Sequence, residues 1–354
     1  MKKHLTVLII LGFLVMTINP TAAANKYGSK AYGMGGAFSA VADDASAVYW
    51  NPAALTQNSL AGTVISAGAQ IDRDAIDDIT DFIDDVEGLS NNPTASELDN
   101  LTLPEDTTAT VDFITAANFG NFGVAGIMND KFSFDGREKT YNDGVTTYQL
   151  PSGTATNDLT GQGILGWGTK VIDPPVVGSL SLGLSGKYLY ARHDEAKTTV
   201  DDTNDDLTTE YTDKTDNGLG ADVGALATLT DTDILNVKAA ATMKNLFNTM
   251  DLEPAALERT TTLGAGATFK FPLIEAFAAR VAADLEMPED SANISRFGVE
   301  GKIGSFSVRA GTYDSDGLED TVYTGGIGFN LPLVDFNLAL DSEDYISASG
   351  TINF

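Results

Sequence analysis

The chain of 354 residues contains no cysteine, which removes disulfide frameworks, thiolate metal sites and cysteine nucleophiles together. Histidine is almost as scarce, with two in the sequence, and one of these, His4, falls in the N-terminal leader discussed below. An imidazole base for hydrolysis would therefore have to be His193, next to Asp194. It stands where an alternating run passes into a polar stretch and reads as an ordinary loop histidine, so no catalytic residue is assigned and the chain is taken as a non-enzyme. Long apolar runs are missing after residue 25, because Gly, Asp, Thr or Lys interrupts each of them within a few residues. A spanning helix needs about 20 apolar residues. A mature chain that crosses a membrane must then do so as a closed barrel, the other structure that pairs every backbone group in lipid; the alternative is a soluble exported β protein. Positive charge is short as well: 21 Lys and Arg stand against 50 Asp and Glu, a net charge of −29. That balance argues against a nucleic-acid partner and is accounted for by solvated acidic loops in a medium that screens or bridges them.

What is present begins with the leader. Lys2 and Lys3 precede an apolar run over residues 5–16, and Ala22 and Ala24 occupy the small-residue positions of a signal-peptidase site, so residues 1–24 read as a signal peptide and the mature chain as starting near Asn25. The 12-residue run is too short to serve as a retained anchor. Its removal leaves 19 basic against 50 acidic residues.

From residue 108 onward the apolar period is two rather than 3.6, with turns rich in Gly, Asp, Asn and Pro. Leu180, Leu182, Leu184, Tyr188 and Tyr190 share one face while Ser179, Ser181, Ser185 and Lys187 share the other. In the run 277–287, Arg280, Asp284 and Glu286 lie opposite Phe277, Val281, Leu285 and Met287. Three charges on one face suit a wet barrel lumen and not a sandwich core. Fifteen such runs occur between residues 61 and 354; the run 139–150 carries Asn142, Asp143 and Gly144 and is assigned to a loop, which leaves the even number, fourteen, that a bacterial barrel requires. Short connections at 271–273 and 331–333 alternate with long polar ones at 193–214 and 314–320, as short periplasmic turns alternate with longer outside loops. The chain ends on Phe354, a terminal aromatic like the assembly signal of outer-membrane barrels. Residues 72–89 break the pattern, with Ile76, Ile79, Phe82, Ile83, Val86 and Leu89 at helical spacing and Asp74, Asp77, Asp78, Asp81, Asp84 and Asp85 filling much of the rest, and predict an acidic amphipathic helix in a loop.

Residues 27–55 form the other exception, too rich in Gly and Ala for a membrane strand. Gly33, Gly35 and Gly36 permit tight turns, and Tyr27, Met34 and Phe38 are the side chains suited to an apolar ligand or to packing on a wall. Asp43, Asp44 and Ser46 can accept backbone N–H groups in a segment without regular ladders. Pro52 fixes its own φ and holds Asn51 extended, which makes the Asn51-Pro52-Ala53 step a rigid exit. The three elements, residues 33–37, residues 42–46 and Asn51-Pro52-Ala53, resemble in order and spacing the hatch of FadL-type transporters of long-chain fatty acids and aromatic hydrocarbons.

The resemblance covers about the first thirty mature residues and implies an all-β, fourteen-stranded transmembrane antiparallel barrel over residues 57–354, with residues 25–56 as a plug in its lumen. It further implies a monomer in the outer membrane of a diderm bacterium, inserted by the barrel-assembly machinery among outer-membrane lipid, which passes a hydrophobic small molecule. Because residues 33–36 lack the Lys and Ser or Thr of a phosphate loop, that passage is expected to run downhill. PorV-like accessory proteins of a secretion system and TraF-like relatives share the N-terminal signature, so an accessory role is the alternative. No cofactor or metal is expected. Asp202, Asn204 and Asp206 alternate like a calcium loop, but Leu207 replaces its glycine, and Asp314, Asp316 and Gly317 are equally partial.

Overall fold

The alternating runs close on themselves. In the computed structural model, fourteen antiparallel strands pair in chain order and the last pairs with the first. They are β1 (Gly62–Ile71), β2 (Thr107–Phe119), β3 (Phe122–Asn142), β4 (Thr147–Ile172), β5 (Ser179–Val200), β6 (Leu207–Asp231), β7 (Leu235–Asn248), β8 (Thr260–Lys270), β9 (Phe277–Pro288), β10 (Ile294–Ile303), β11 (Phe306–Ser315), β12 (Val322–Asn330), β13 (Val334–Asp341) and β14 (Tyr345–Asn353). The structure describes residues 26–57, 61–71, 81, 84–85, 107–142, 147–173, 178–200, 207–252, 257–271, 277–315 and 320–354. The leader, its cleavage point and the calcium-like residues 202–206 and 316–317 lie outside these residues. So does most of the expected helix 72–89, of which Asp81, Asp84 and Asp85 are described and helical.

Short connections gather at one end. Gly120 and Gly304 turn the chain from β2 to β3 and from β10 to β11 at φ 57° and 58°, the left-handed region that favours glycine. At the opposite end the strands have unequal heights. β3 to β6 run for 21, 26, 22 and 25 residues, whereas β13 has 8. Since about 9–11 tilted residues cross a hydrocarbon core, the four long strands rise well past the rest as a polar palisade. This corrects two expectations. The stretch 139–150 is not a loop but the joined tips of β3 and β4, with Lys139 opposite Leu150 and Asn142 opposite Thr147. Most of 193–214 is likewise ladder, with His193 opposite Lys214. In sequence both stretches lack the strict alternation that betrays a half-buried strand, although the backbone pairing continues.

The expected faces hold. Leu182, Leu184, Leu285 and Leu338 point out of the barrel and are exposed, while Ser181, Ser185, Lys187, Asp284 and Asn337 point in and are buried. The inward surface has two halves of different chemistry. On β9 to β11, ionic side chains ladder across the strands: Arg309 Nε donates to Glu300 at 2.6 Å, Arg296 Nη2 donates to Glu286 at 2.9 Å, and Arg280 faces Glu300 at 3.8 Å. On β2 to β4, Ile114, Ala116, Ala125, Ile127 and Ile164 form an apolar face. A lumen wall can carry buried charge only where partners stand opposite, and cross-strand neighbours supply them here.

Leu338 lies in mid-strand and is 50% exposed on the outer surface. Leu338→Arg should destabilise the inserted barrel by about 2–4 kcal/mol, read from reversible denaturant unfolding in lipid vesicles, with Leu338→Ala costing far less. Equal costs would place this face out of contact with lipid.

Candidate functional site

Residues 26–57 hold three short helical pieces: α1 (Ser29–Tyr32), α2 (Ala47–Trp50) and a 3-10 helix (Pro52–Gln57). No piece is long enough to pair its own backbone fully, so tight turns do the rest. Gly36 N–H donates to Ala31 O at 3.0 Å and Ala54 N–H to Asn51 O at 2.8 Å, and Gly35 and Gly36 adopt φ of 66° and 76°. The segment lies against the inward faces of the strands and is almost entirely buried.

What seats it is a set of complementary rows in the wall. Gly168, Gly183 and Gly224 are successive cross-strand neighbours on β4, β5 and β6. Asn51, Pro52 and Ala53 lie on that row so closely that a Cβ at Gly168 would stand 2.7 Å from Pro52 O, and one at Gly183 would overlap the Pro52–Ala53 peptide. Asn51 is fully buried and holds an extended conformation, φ −160° and ψ 106°. Its Nδ2 donates to Ser39 O at 3.1 Å and to Ala225 O of β6 at 3.2 Å, and its Oδ1 accepts from Ala53 N–H at 3.0 Å. The amide therefore ties two ends of the segment and the wall together.

A second row, Gly298, Gly311 and Thr324 on β10 to β12, receives Met34 and Gly35. Gly35 N–H donates to Thr324 Oγ1 at 3.0 Å, and its carbonyl accepts from Arg296 Nη1 at 3.3 Å. A Cβ on Gly35 would sit 2.5 Å from Thr312 O, so glycine is required there by space as well as by φ. Gly33 packs on Gly326 and Arg309, and Gly36 lies beside the Arg296 guanidinium.

Two carboxylates complete the attachment. Asp284 of β9 accepts the N–H groups of Phe38 and Ser39 at 3.0 and 2.9 Å and the Ser39 hydroxyl at 2.7 Å. Asp43 of the segment lies between Lys30 Nζ at 2.6 Å and Arg280 Nη2 at 2.8 Å. Burial opposes ionisation of Asp43, but Arg280 and Lys30 outweigh it and hold the carboxyl well below its usual range. Asp44 accepts the Ser46 N–H at 2.9 Å, whereas Asp43 makes ion pairs. At the far rim, Lys26 Nζ donates to Gln70 at 2.7 Å and lies 4.6 Å from the centre of the Tyr345 ring, while the Tyr32 hydroxyl donates to Asp341.

Sequence reasoning named the segment side of these contacts but missed the wall side: Asp284, Arg280, Arg296, Thr324 and the glycine rows. Glycine within a strand, on the face that alternates as polar, was the available signal. Tyr27, Met34 and Phe38 are enclosed by protein in this conformation. Tyr27 packs edge-on to Tyr49 at 5.2 Å, Phe38 edge-on to Trp50 at 6.0 Å, and Met34 on Gly298. His193 Nδ1 meets Asp158 on the tall wall, opposite Lys214.

Gly183→Val should unseat the segment without opening the barrel, giving faster tryptic cleavage after Lys30 at unchanged heat-modifiable mobility; protection equal to that of the parent protein would remove the row from the account. For Asp43 the pH sign is fixed by its depressed folded-state pKa. Its stabilisation is fully present above the ordinary carboxylate value and is lost only as pH falls through the lower folded value. Protection at Lys30 should thus be constant from pH 8 down to about 4, and Asp43→Asn should weaken it across that whole window.

Fold and site together define a fourteen-stranded antiparallel barrel with residues 26–57 buried against its inward faces. No family description matches the sequence, and no curated protein matches it. Among solved structures, the TodX deltaS2S3 mutant monoaromatic hydrocarbon channel is similar at 11% identity, covering 92% of this chain and 98% of that one, with a TM-score of 0.50. The toluene transporter TodX of P. putida gives 10%, 93% and 98% with a TM-score of 0.49. A FadL homologue of Pseudomonas aeruginosa gives 12%, 96% and 99% with 0.42. At such identity the first of these likenesses speaks for the fold alone.

Proposed function

We propose that this protein is an outer-membrane channel for passive uptake of hydrophobic small molecules, long-chain fatty acids or aromatic hydrocarbons, in which residues 25–56 are the plug. The observation that carries this reading is the seating of residues 26–57. A segment seated in the lumen on glycine rows, Asp284 and the Asp43 ion pairs is held by non-covalent contacts that can part. The apolar outer face fits lipid, the similar fold of TodX, a monoaromatic hydrocarbon channel, agrees with an apolar cargo, and the predicted leader would supply export to the outer membrane. In this reading Gly33, Gly35, Gly36, Asp43, Asp44, Ser46, Asn51, Pro52 and Ala53 hold the plug, and Tyr27, Met34 and Phe38 become available to cargo when it shifts.

The tall polar palisade of β3 to β6 favours a second reading, a PorV-like accessory barrel that presents this wall to a protein client. Uptake of labelled long-chain fatty acid and of a monoaromatic hydrocarbon into liposomes separates the two. Saturable uptake by the refolded protein is expected, with loss of saturation and ion leakage in the variant lacking residues 25–56. No uptake by a folded barrel would transfer the assignment to the accessory role.

A further inference from the structure

Thirteen of the fourteen strand pairings join elements that follow one another in the chain, so each starts from a local connection. The pairing of β1 with β14 does not. Its register runs from Gly62 opposite Asn353 to Gln70 opposite Tyr345, and the chain must travel round the whole barrel before it can form. This closing seam has the least help from chain connectivity, and it is where the N-terminal segment begins.

Residues 26–33 bond to both sides of the seam. Ser29 N–H donates to Ser66 Oγ of β1 at 3.3 Å, and Ser66 Oγ donates onward to Ala348 O of β14, 282 positions away, at 3.2 Å. Lys26 Nζ donates to Gln70 Oε1 of β1 at 2.7 Å and faces Asp341 of β13 at 3.7 Å, while Gln70 Nε2 donates to Glu343 O in the β13–β14 turn at 2.7 Å. Tyr32 reaches the same Asp341 with its hydroxyl, and Asp341 in turn accepts the N–H groups of Glu343 and Tyr345 at 2.8 and 2.9 Å.

The hub is Tyr345. From β14 its side chain leans across the seam onto β1, where a Cβ at Gly68, its diagonal neighbour, would overlap the hydroxyl. Glycine at 68 is thus the gap that admits the ring. The segment then covers the ring from inside: Tyr345 Oη donates to Lys26 O at 3.2 Å, Lys26 Nζ stands 4.6 Å from the ring centre, and the Tyr32 ring meets it edge-on at 4.6 Å. Tyr32 and Tyr345 are buried with Tyr313, Val322 and Ala339 in a cluster separate from the larger one that holds most of the segment.

We propose that residues 26–33 are a closure clamp: seated on β1, β13 and β14 together, they hold the β1–β14 seam shut, so this end of the segment fastens the barrel while the rest occupies the lumen. The inference does not depend on the channel reading, because an accessory barrel needs the same closure. Without the clamp the seam keeps its backbone ladder but opens from the Gln70–Tyr345 end, where the Lys26, Tyr32 and Asp341 contacts gather.

The test is hydrogen exchange of the refolded mature chain in lipid vesicles, resolved to peptides by mass spectrometry. In Lys26→Met/Tyr32→Leu, amides of β1 and β14 should exchange faster by about fivefold to thirtyfold, the factor that one or two lost contacts of this kind carry, with β7 and β8 within about twofold of the parent protein. Equal acceleration in β7 and β8, or none in β1 and β14, overturns the proposal. A double variant that fails to refold is decided by a disulfide staple, which the absence of native cysteine makes specific. Thr63 and Ile352 are direct partners across the seam, and Ala239 and Ala265 across β7 and β8. A disulfide from Thr63→Cys and Ile352→Cys should restore folding of the double variant, whereas one from Ala239→Cys and Ala265→Cys should not; rescue by neither or by both overturns the clamp.

Discussion

Everything in this molecule depends on the obligation to pair backbone N–H and C=O groups where water is absent. Among the described residues no helix is long and apolar enough to cross a membrane, and a closed sheet is the structure that meets that obligation in lipid; β14 on β1 is the closure. Closure has a second consequence inside. The lumen of fourteen strands is wider than inward side chains can fill, and the material that fills it is a segment with little regular structure, whose own backbone groups must then be paired one by one. Asp284, Thr324, Arg296 and the Asn51 amide do this pairing.

The glycine rows follow from the same constraint. Backbone-to-backbone approach between a plug and a wall requires that the wall omit its side chains where the plug is thickest. Three strands must omit them at the same height for a peptide such as Asn51-Pro52-Ala53 to lie flat. Gly168, Gly183 and Gly224 are separated in sequence by 15 and 41 positions, yet the ladder brings them side by side. Between the rows the wall differs in chemistry: charged partners hold the segment on β9 to β11, while Ile114, Ala125 and Ile164 of β2 to β4 pack with it in one apolar cluster.

The barrel and its strand number were legible in the sequence because period-two alternation records which face meets lipid. Leu182 and Leu184 against Ser181 and Ser185 is as clear in the letters as in the structure. The tips of β3 to β6 were not legible, since the alternation that marks a strand disappears from their sequence while its hydrogen bonds persist. In the candidate site the plug residues were readable as a local string of small residues with Asn51-Pro52, whereas their partners were not. Asp284 read as one more lumen charge, and nothing local links it to Phe38 and Ser39 some 245 positions away.

By itself the sequence determined what depends on neighbours along the chain: the absence of thiol chemistry, the alternating strands, the turn glycines and a segment too rich in small residues to be a strand. The tertiary structure alone decided which residues meet. Register sets cross-strand rows, and a row joins residues that sequence distance keeps apart, so the seat of Asn51 and the Lys30, Asp43 and Arg280 cluster come into being only when the sheet closes.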